Sequence, residues 1–206
     1  MPIPMRASPP QLFAFLLLAA ISAAAAPAHT GSGLYGQLTL GVDGATVTGV
    51  FSDARPGNGT EEDPQFSCTF LLRGTLALGR AKVIAWTPPG KATTTGTLTL
   101  ANGSASLSLA GNPPGCEATG DTFVVRPYAE PSIKDGDWVA VRLVTAPAAV
   151  ELAAPISGDP RKAILNQGDV VVVYRRIGAW VEGEAPFASQ TVRGWLRDSD
   201  LAPAQP

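Results

Sequence analysis

From Leu34 onward, apolar and polar residues alternate with a period of two, the signature of strands buried on one face. Leu34–Leu40 and Ala45–Phe51 alternate in this way, and Asp43-Gly44 between them has the residue types of a tight hairpin turn. Phe66–Leu78 places Phe66, Cys68, Phe70 and Leu72 on one side. The runs Arg80–Trp86, Thr95–Leu100, Ser104–Leu109 and Thr122–Arg126 follow, with Asn102-Gly103 as a second hairpin turn. About seven short strands with tight turns predict a meander sheet closed into a barrel or folded into a sandwich, since one layer would leave a face unburied. Two polar stretches break the rhythm, Asp53–Gln65 and Gly111–Asp121, and both read as long loops.

Alternation resumes at Trp138–Leu143 after a segment carrying Pro127, Pro131 and Gly136. It continues through Ala149–Leu152, Asp169–Tyr174, Ala179–Glu184 and Thr191–Leu196. The expected organisation is therefore all-β: a first domain over residues 29–128, a linker over 129–137 and a second small barrel over 138–206. Composition agrees, with 22 Gly and 19 Pro among 206 residues.

The first 28 residues change the picture of where this protein works. Arg6 precedes an apolar run from Leu12 to Ala26, and Ala26-Pro27-Ala28 sets small residues where a signal peptidase cuts. Residues 1–28 thus read as a signal peptide, giving a periplasmic or secreted protein with no membrane span after cleavage. The rival reading is an uncleaved anchor, although the run falls short of the roughly 20 residues needed to cross hydrocarbon. Cleavage after Ala28 leaves the one histidine, His29, at the new terminus. The two cysteines, Cys68 and Cys116, can pair within the chain only with each other, and an exported protein favours that disulfide.

Charge and residue types then narrow the chemistry. A formal net charge of −2 without a basic block gives nucleic acid no electrostatic footprint. With His29 terminal and both cysteines paired, the usual serine, cysteine and zinc catalytic arrangements cannot be assembled. A carboxylate pair is the remaining possibility, but acids such as Asp43, Asp63 and Asp121 sit in turns where backbone capping explains them, so the chain reads as a non-enzyme. No phosphate-cradling glycine loop is encoded, and no cofactor is expected. Asp53, Asn58, Glu61, Glu62 and Asp63 share one loop but lack calcium-loop spacing; they read as a solvated loop, and no metal is expected. Asn58-Gly59-Thr60 and Asn102-Gly103-Ser104 match the glycosylation triplet and are equally turn sequences.

In the second half, Ala149–Leu152, Leu165-Asn166-Gln167-Gly168-Asp169 leading into Val170–Val173, Gly178-Ala179-Trp180-Val181 and Arg193-Gly194-Trp195-Leu196 with Ser199-Asp200-Leu201 form a pattern. Over roughly Val139–Leu201 it resembles a bacterial SH3-like domain, departing from it in the insert Pro186–Gln190. The resemblance implies a small non-catalytic barrel that contacts an envelope protein or a peptidoglycan peptide. Tyr174, Trp180 and Trp195 are the candidate ligand-binding residues, because flat aromatics give large contact area at low entropic cost. Taken alone, each is better explained as barrel core, the usual place of a tryptophan in so small a barrel, with Tyr174 the most evenly balanced of the three. The opening Ser32-Gly33-Leu34-Tyr35-Gly36 of the first half is similar in style to small periplasmic lysozyme-inhibitor and lipocalin-like barrels. That likeness implies an alternative function, inhibition of or immunity to a cell-wall hydrolase or secreted toxin through the loops 53–65 and 111–121.

Overall fold

The computed structural model describes residues 31–55, 57, 60, 65–119, 122–156, 161–187 and 193–202. The leader 1–28, His29, and the acidic-loop residues Asn58, Glu61, Glu62 and Asp63 lie outside the described residues. Every regular element described is a strand apart from two one-turn 3-10 segments, Glu117–Thr119 and Asp198–Asp200, so the protein is all-β. No helix among the described residues is long and apolar enough to cross a membrane.

The first sheet has nine strands: β1 (Gly33–Tyr35), β2 (Leu38–Asp43), β3 (Thr46–Arg55), β4 (Phe66–Ala77), β5 (Arg80–Trp86), β6 (Thr93–Ala101), β7 (Ser104–Leu109), β8 (Tyr128–Pro131) and β9 (Lys134–Asp135). β1 to β7 form an antiparallel meander, β8 pairs with β7 at one edge, and β9 pairs with β1 at the other. Only Ser132 and Ile133 separate β8 from β9. Their amides bond to Gly103 O and Leu34 O, both at 2.7 Å, so one run of chain joins the two edges and shuts the sheet into a barrel. Closure removes the unpaired rims that an open sheet exposes.

Residues 129–137, read from the sequence as a linker, thus hold most of β8 and all of β9. Pro131 is compatible with this because it ends β8 at the corner where the chain changes neighbours. Residues 122–126, read as a strand, instead form a turn held by a single parallel bridge between Thr122 and Arg126. Phe123 adopts φ +71° there and turns its fully buried ring into the barrel. Leu34–Leu40 is two strands rather than one, since Gly36 at φ +59° makes a turn; a Cβ there would stand 2.3 Å from the Tyr128 hydroxyl.

The inward residues fill the barrel. Leu38, Leu40, Val47, Phe70, Leu72, Val83, Leu98 and Leu107 are all buried in one cluster. Phe51 stacks on Phe70 with centroids 5.2 Å apart, and Phe123 meets both rings edge-on at 4.9 and 5.4 Å. Tyr128 completes this plug; its hydroxyl donates to Tyr35 O at 2.8 Å and accepts from Gln37 N at 2.8 Å. Tyr35, also buried, has its phenol pushed up to about 12, chiefly by burial and secondarily by the charge of Asp135. Cys68 on β4 and Cys116 form the disulfide, which ties the 113–119 loop to the barrel.

The second sheet has six strands: β10 (Ala140–Leu143), β11 (Ala148–Leu152), β12 (Arg161–Asn166), β13 (Val170–Ile177), β14 (Trp180–Glu184) and β15 (Gly194–Arg197). Their order is β10-β13-β14-β15-β11-β12, and Val144 bridges to Leu201 beyond the last 3-10 turn. Val171, Val173, Val181, Leu196 and Leu201 make its core. β12 falls between the alternating runs Ala149–Leu152 and Asp169–Tyr174; β11 and β12 form a hairpin whose connection includes 157–160, outside the described residues. Arg142 pins the segment after β15, donating from Nε to Ala202 O at 2.6 Å and pairing with Asp198 at 3.1 Å.

A third apolar cluster sits between the two sheets. Val50, Leu71 and Trp86 point outward from the first barrel and meet Trp138, Val141, Leu143, Val170 and Val172. The Trp138 indole donates to Leu40 O at 2.7 Å, while Ser32 Oγ donates to Trp138 O at 2.8 Å and accepts from Val42 N at 2.9 Å. Thr48 Oγ1 accepts from Val141 N at 2.9 Å. Gly41 is the point of closest approach, where a Cβ would stand 2.6 Å from the Ala140 backbone.

Candidate functional site

The outer surface of β13, β14 and β15 gathers the three aromatics singled out in the sequence. Pairing sets this face: Glu182 lies opposite both Arg175 and Trp195, and Trp180 lies opposite Arg197. Residues two apart on a strand share a face, so Arg193, Trp195 and Arg197 line up along and just before β15. Val181 and Leu196, at the alternate positions, turn into the core. A register shift between Val173 and Arg175 leaves Tyr174 as the extra residue of a bulge, which re-aims its ring toward the cluster between the sheets.

Each aromatic carries an arginine. The Arg193 guanidinium lies 3.6 Å from the centroid of Tyr174, Arg175 lies 4.9 Å from that of Trp195, and Arg197 lies 5.2 Å from that of Trp180. Glu182 sits between two of these cations, accepting from Arg175 Nε and, at 3.1 Å, from Arg193 Nε. Burial alone would raise the Glu182 carboxyl; the hydrogen bonds and charges of Arg175 and Arg193 outweigh it and hold the group below its usual value. Tyr174 is shifted the other way: burial first, then the hydrogen bond and charge of Glu184, push its phenol upward. At neutral pH this face therefore presents neutral rings, the ionised Glu182 carboxylate and arginines, with Glu184 beside Tyr174.

Trp195 is buried, while Tyr174 and Trp180 are half-buried. Solvent meets mainly the guanidinium side chains, with Arg175 59% and Arg193 46% exposed against 15% for Glu182. Sequence reasoning found the rings and missed Arg175, Arg193, Arg197 and Glu182. The signal was present, since Arg193-Gly194-Trp195-Leu196-Arg197 alternates strictly, but charged residues at such positions usually form only a solvated face. Of the insert Pro186–Gln190, residues 188–190 lie outside the described residues.

Among the described residues, no three His, Cys, Asp or Glu side chains gather into a metal-binding group. The disulfided cysteines present no thiol nucleophile. What this face offers chemically is cation–π and charge-assisted hydrogen bonding to an anionic or carbonyl-rich partner. No protein-family model, curated protein or solved structure matches the chain.

Proposed function

We propose that this is an exported, non-enzymatic binding protein whose C-terminal module is a bacterial SH3-like domain contacting a peptide or protein of the cell envelope. The observation that carries this reading is the run of three aromatics, each overlaid by a guanidinium, on one face of β13–β15. Arginines stacked on rings are preorganised donors, so a carboxylate on a peptide binds them without first ordering long side chains. The SH3-like assignment is supported by the strand order and by the 3-10 turn before the Val144–Leu201 bridge. Export is supported by the Cys68–Cys116 disulfide and by the sequence of the first 28 residues.

The test is titration of the purified protein with envelope-derived peptides bearing free carboxylates, followed by tryptophan fluorescence. Saturable binding is expected, weakened at least about tenfold in Arg175→Ala/Arg193→Ala, as for removal of paired interfacial charges. Binding untouched by that double substitution would overturn the reading.

A second reading, inhibition of a hydrolase or toxin, is favoured by one observation. The disulfide holds the 113–119 loop at the barrel end where Val124 and Val125 are exposed. It predicts stoichiometric recovery of a single hydrolase, lost on Val125→Asp and retained in the arginine double variant.

A further inference from the structure

The exterior of the first barrel carries a groove remote in sequence from the arginine–aromatic face. Two adjoining depressions, of about 670 and 520 Å3, lie over β4–β7 and share Thr75, Lys82 and Thr97. Arg73 lines one and Arg80 the other. Gly74 and Gly96 let the strands close up beneath: a Cβ on Gly74 would stand 2.4 Å from Lys82 O, and one on Gly96 2.2 Å from Ser108 O.

Register builds the groove's chemistry in rows. Thr75 lies opposite Lys82, Lys82 opposite Thr97 and Thr97 opposite Ser108; in the next row Arg73 lies opposite Ile84, which lies opposite Thr95. Alternate residues on a strand are about 7 Å apart and neighbouring strands about 4.8 Å apart, so the cations and hydroxyls recur at regular spacing around the exposed Ile84 side chain, with Val83, Leu109 and Ala110 also among the lining residues. Among the described lining residues there is no acid, although the chain as a whole has 17 acidic and 15 basic residues.

We infer that this groove binds an acidic polysaccharide. Threonine and serine hydroxyls both donate and accept, which matches sugar hydroxyls, while arginine and lysine match carboxylates spaced along a polymer. No aromatic side chain lines either depression, so bases of a single-stranded nucleic acid find no stacking platform. A purely charge-driven partner such as an acidic peptide leaves the hydroxyl rows without a role.

The experiment is isothermal titration of the purified protein with polygalacturonate, with dextran, poly-glutamate and oligo-dT as comparisons. Polygalacturonate is expected to bind, dextran not to bind, and the other two polyanions to bind at least about tenfold more weakly. Arg80→Ala/Lys82→Ala should weaken polygalacturonate at least about tenfold with an unchanged melting temperature. Thr95→Val/Thr97→Val, which keeps shape and charge, should weaken it severalfold while leaving the poly-glutamate signal alone. Arg175→Ala/Arg193→Ala should leave it intact, which separates this groove from the peptide-binding face. Absent binding, equal affinity for poly-glutamate or oligo-dT, or indifference to the Arg80/Lys82 and Thr95/Thr97 substitutions would overturn the proposal.

Discussion

Glu182 is the residue on which the arginine–aromatic face turns. Its carboxylate is shared by Arg175 and Arg193, and those arginines are in turn stacked on Trp195 and Tyr174. Because its folded pKa lies below the ordinary value of 4.5, ionised Glu182 stabilises the fold above that value, and the contribution is lost as pH falls through the lowered one. Comparing wild type with Glu182→Gln by denaturant unfolding should show a deficit of about 1 kcal/mol at pH 7, modest because both arginines reach solvent. The two proteins should converge below the usual carboxylate range. A deficit that persists at acid pH would assign Glu182 a packing role instead.

Among the elements, β4 carries the largest covalent constraint. Cys68 and Cys116 are 48 residues apart in sequence, so their link removes about 4 kcal/mol of loop-closure entropy from the unfolded chain. Cys68→Ser/Cys116→Ser should lower the melting temperature by roughly 8–16 °C for a chain of this size, with the β-sheet circular dichroism retained. An unchanged midpoint would mean the unfolded chain is already compact around that loop. The strands legible in the sequence are those where alternation met turn chemistry, as at Asp43-Gly44 and Asn102-Gly103, or where Cys68, Phe70 and Leu72 share a face. β8 and β9 were not legible because their pairing is decided by distant partners: Tyr128-Ala129-Glu130-Pro131 and Lys134-Asp135 carry little apolar rhythm of their own. The candidate site divides the same way. The rings are visible as residue types, whereas the overlying arginines acquire meaning only through cross-strand register.

For the whole molecule, the apolar cluster between the sheets decides whether there are two folding units or one. Trp86 and Trp138, both nearly free of solvent contact, lie in the same cluster from opposite sides, and Gly41 sets how closely the sheets approach. The wild-type protein should therefore unfold in one calorimetric transition. Gly41→Ala places a methyl against the Ala140 backbone, at an overpacking cost of about 1–3 kcal/mol, and should split that transition in two. A single, merely shifted transition would show that β2 and β10 yield together.

The corner at Ser132-Ile133 has a consequence for how the nascent chain matures. Until residue 135 emerges, the first seven strands have two raw borders, along β1 and along β7, with nothing to latch them. Trp138 follows three positions later, so latching the first unit delivers the anchor of the second almost simultaneously. A product cut short at residue 127 would keep both borders open and offer them to its own copies, making premature termination at this point a route to self-association.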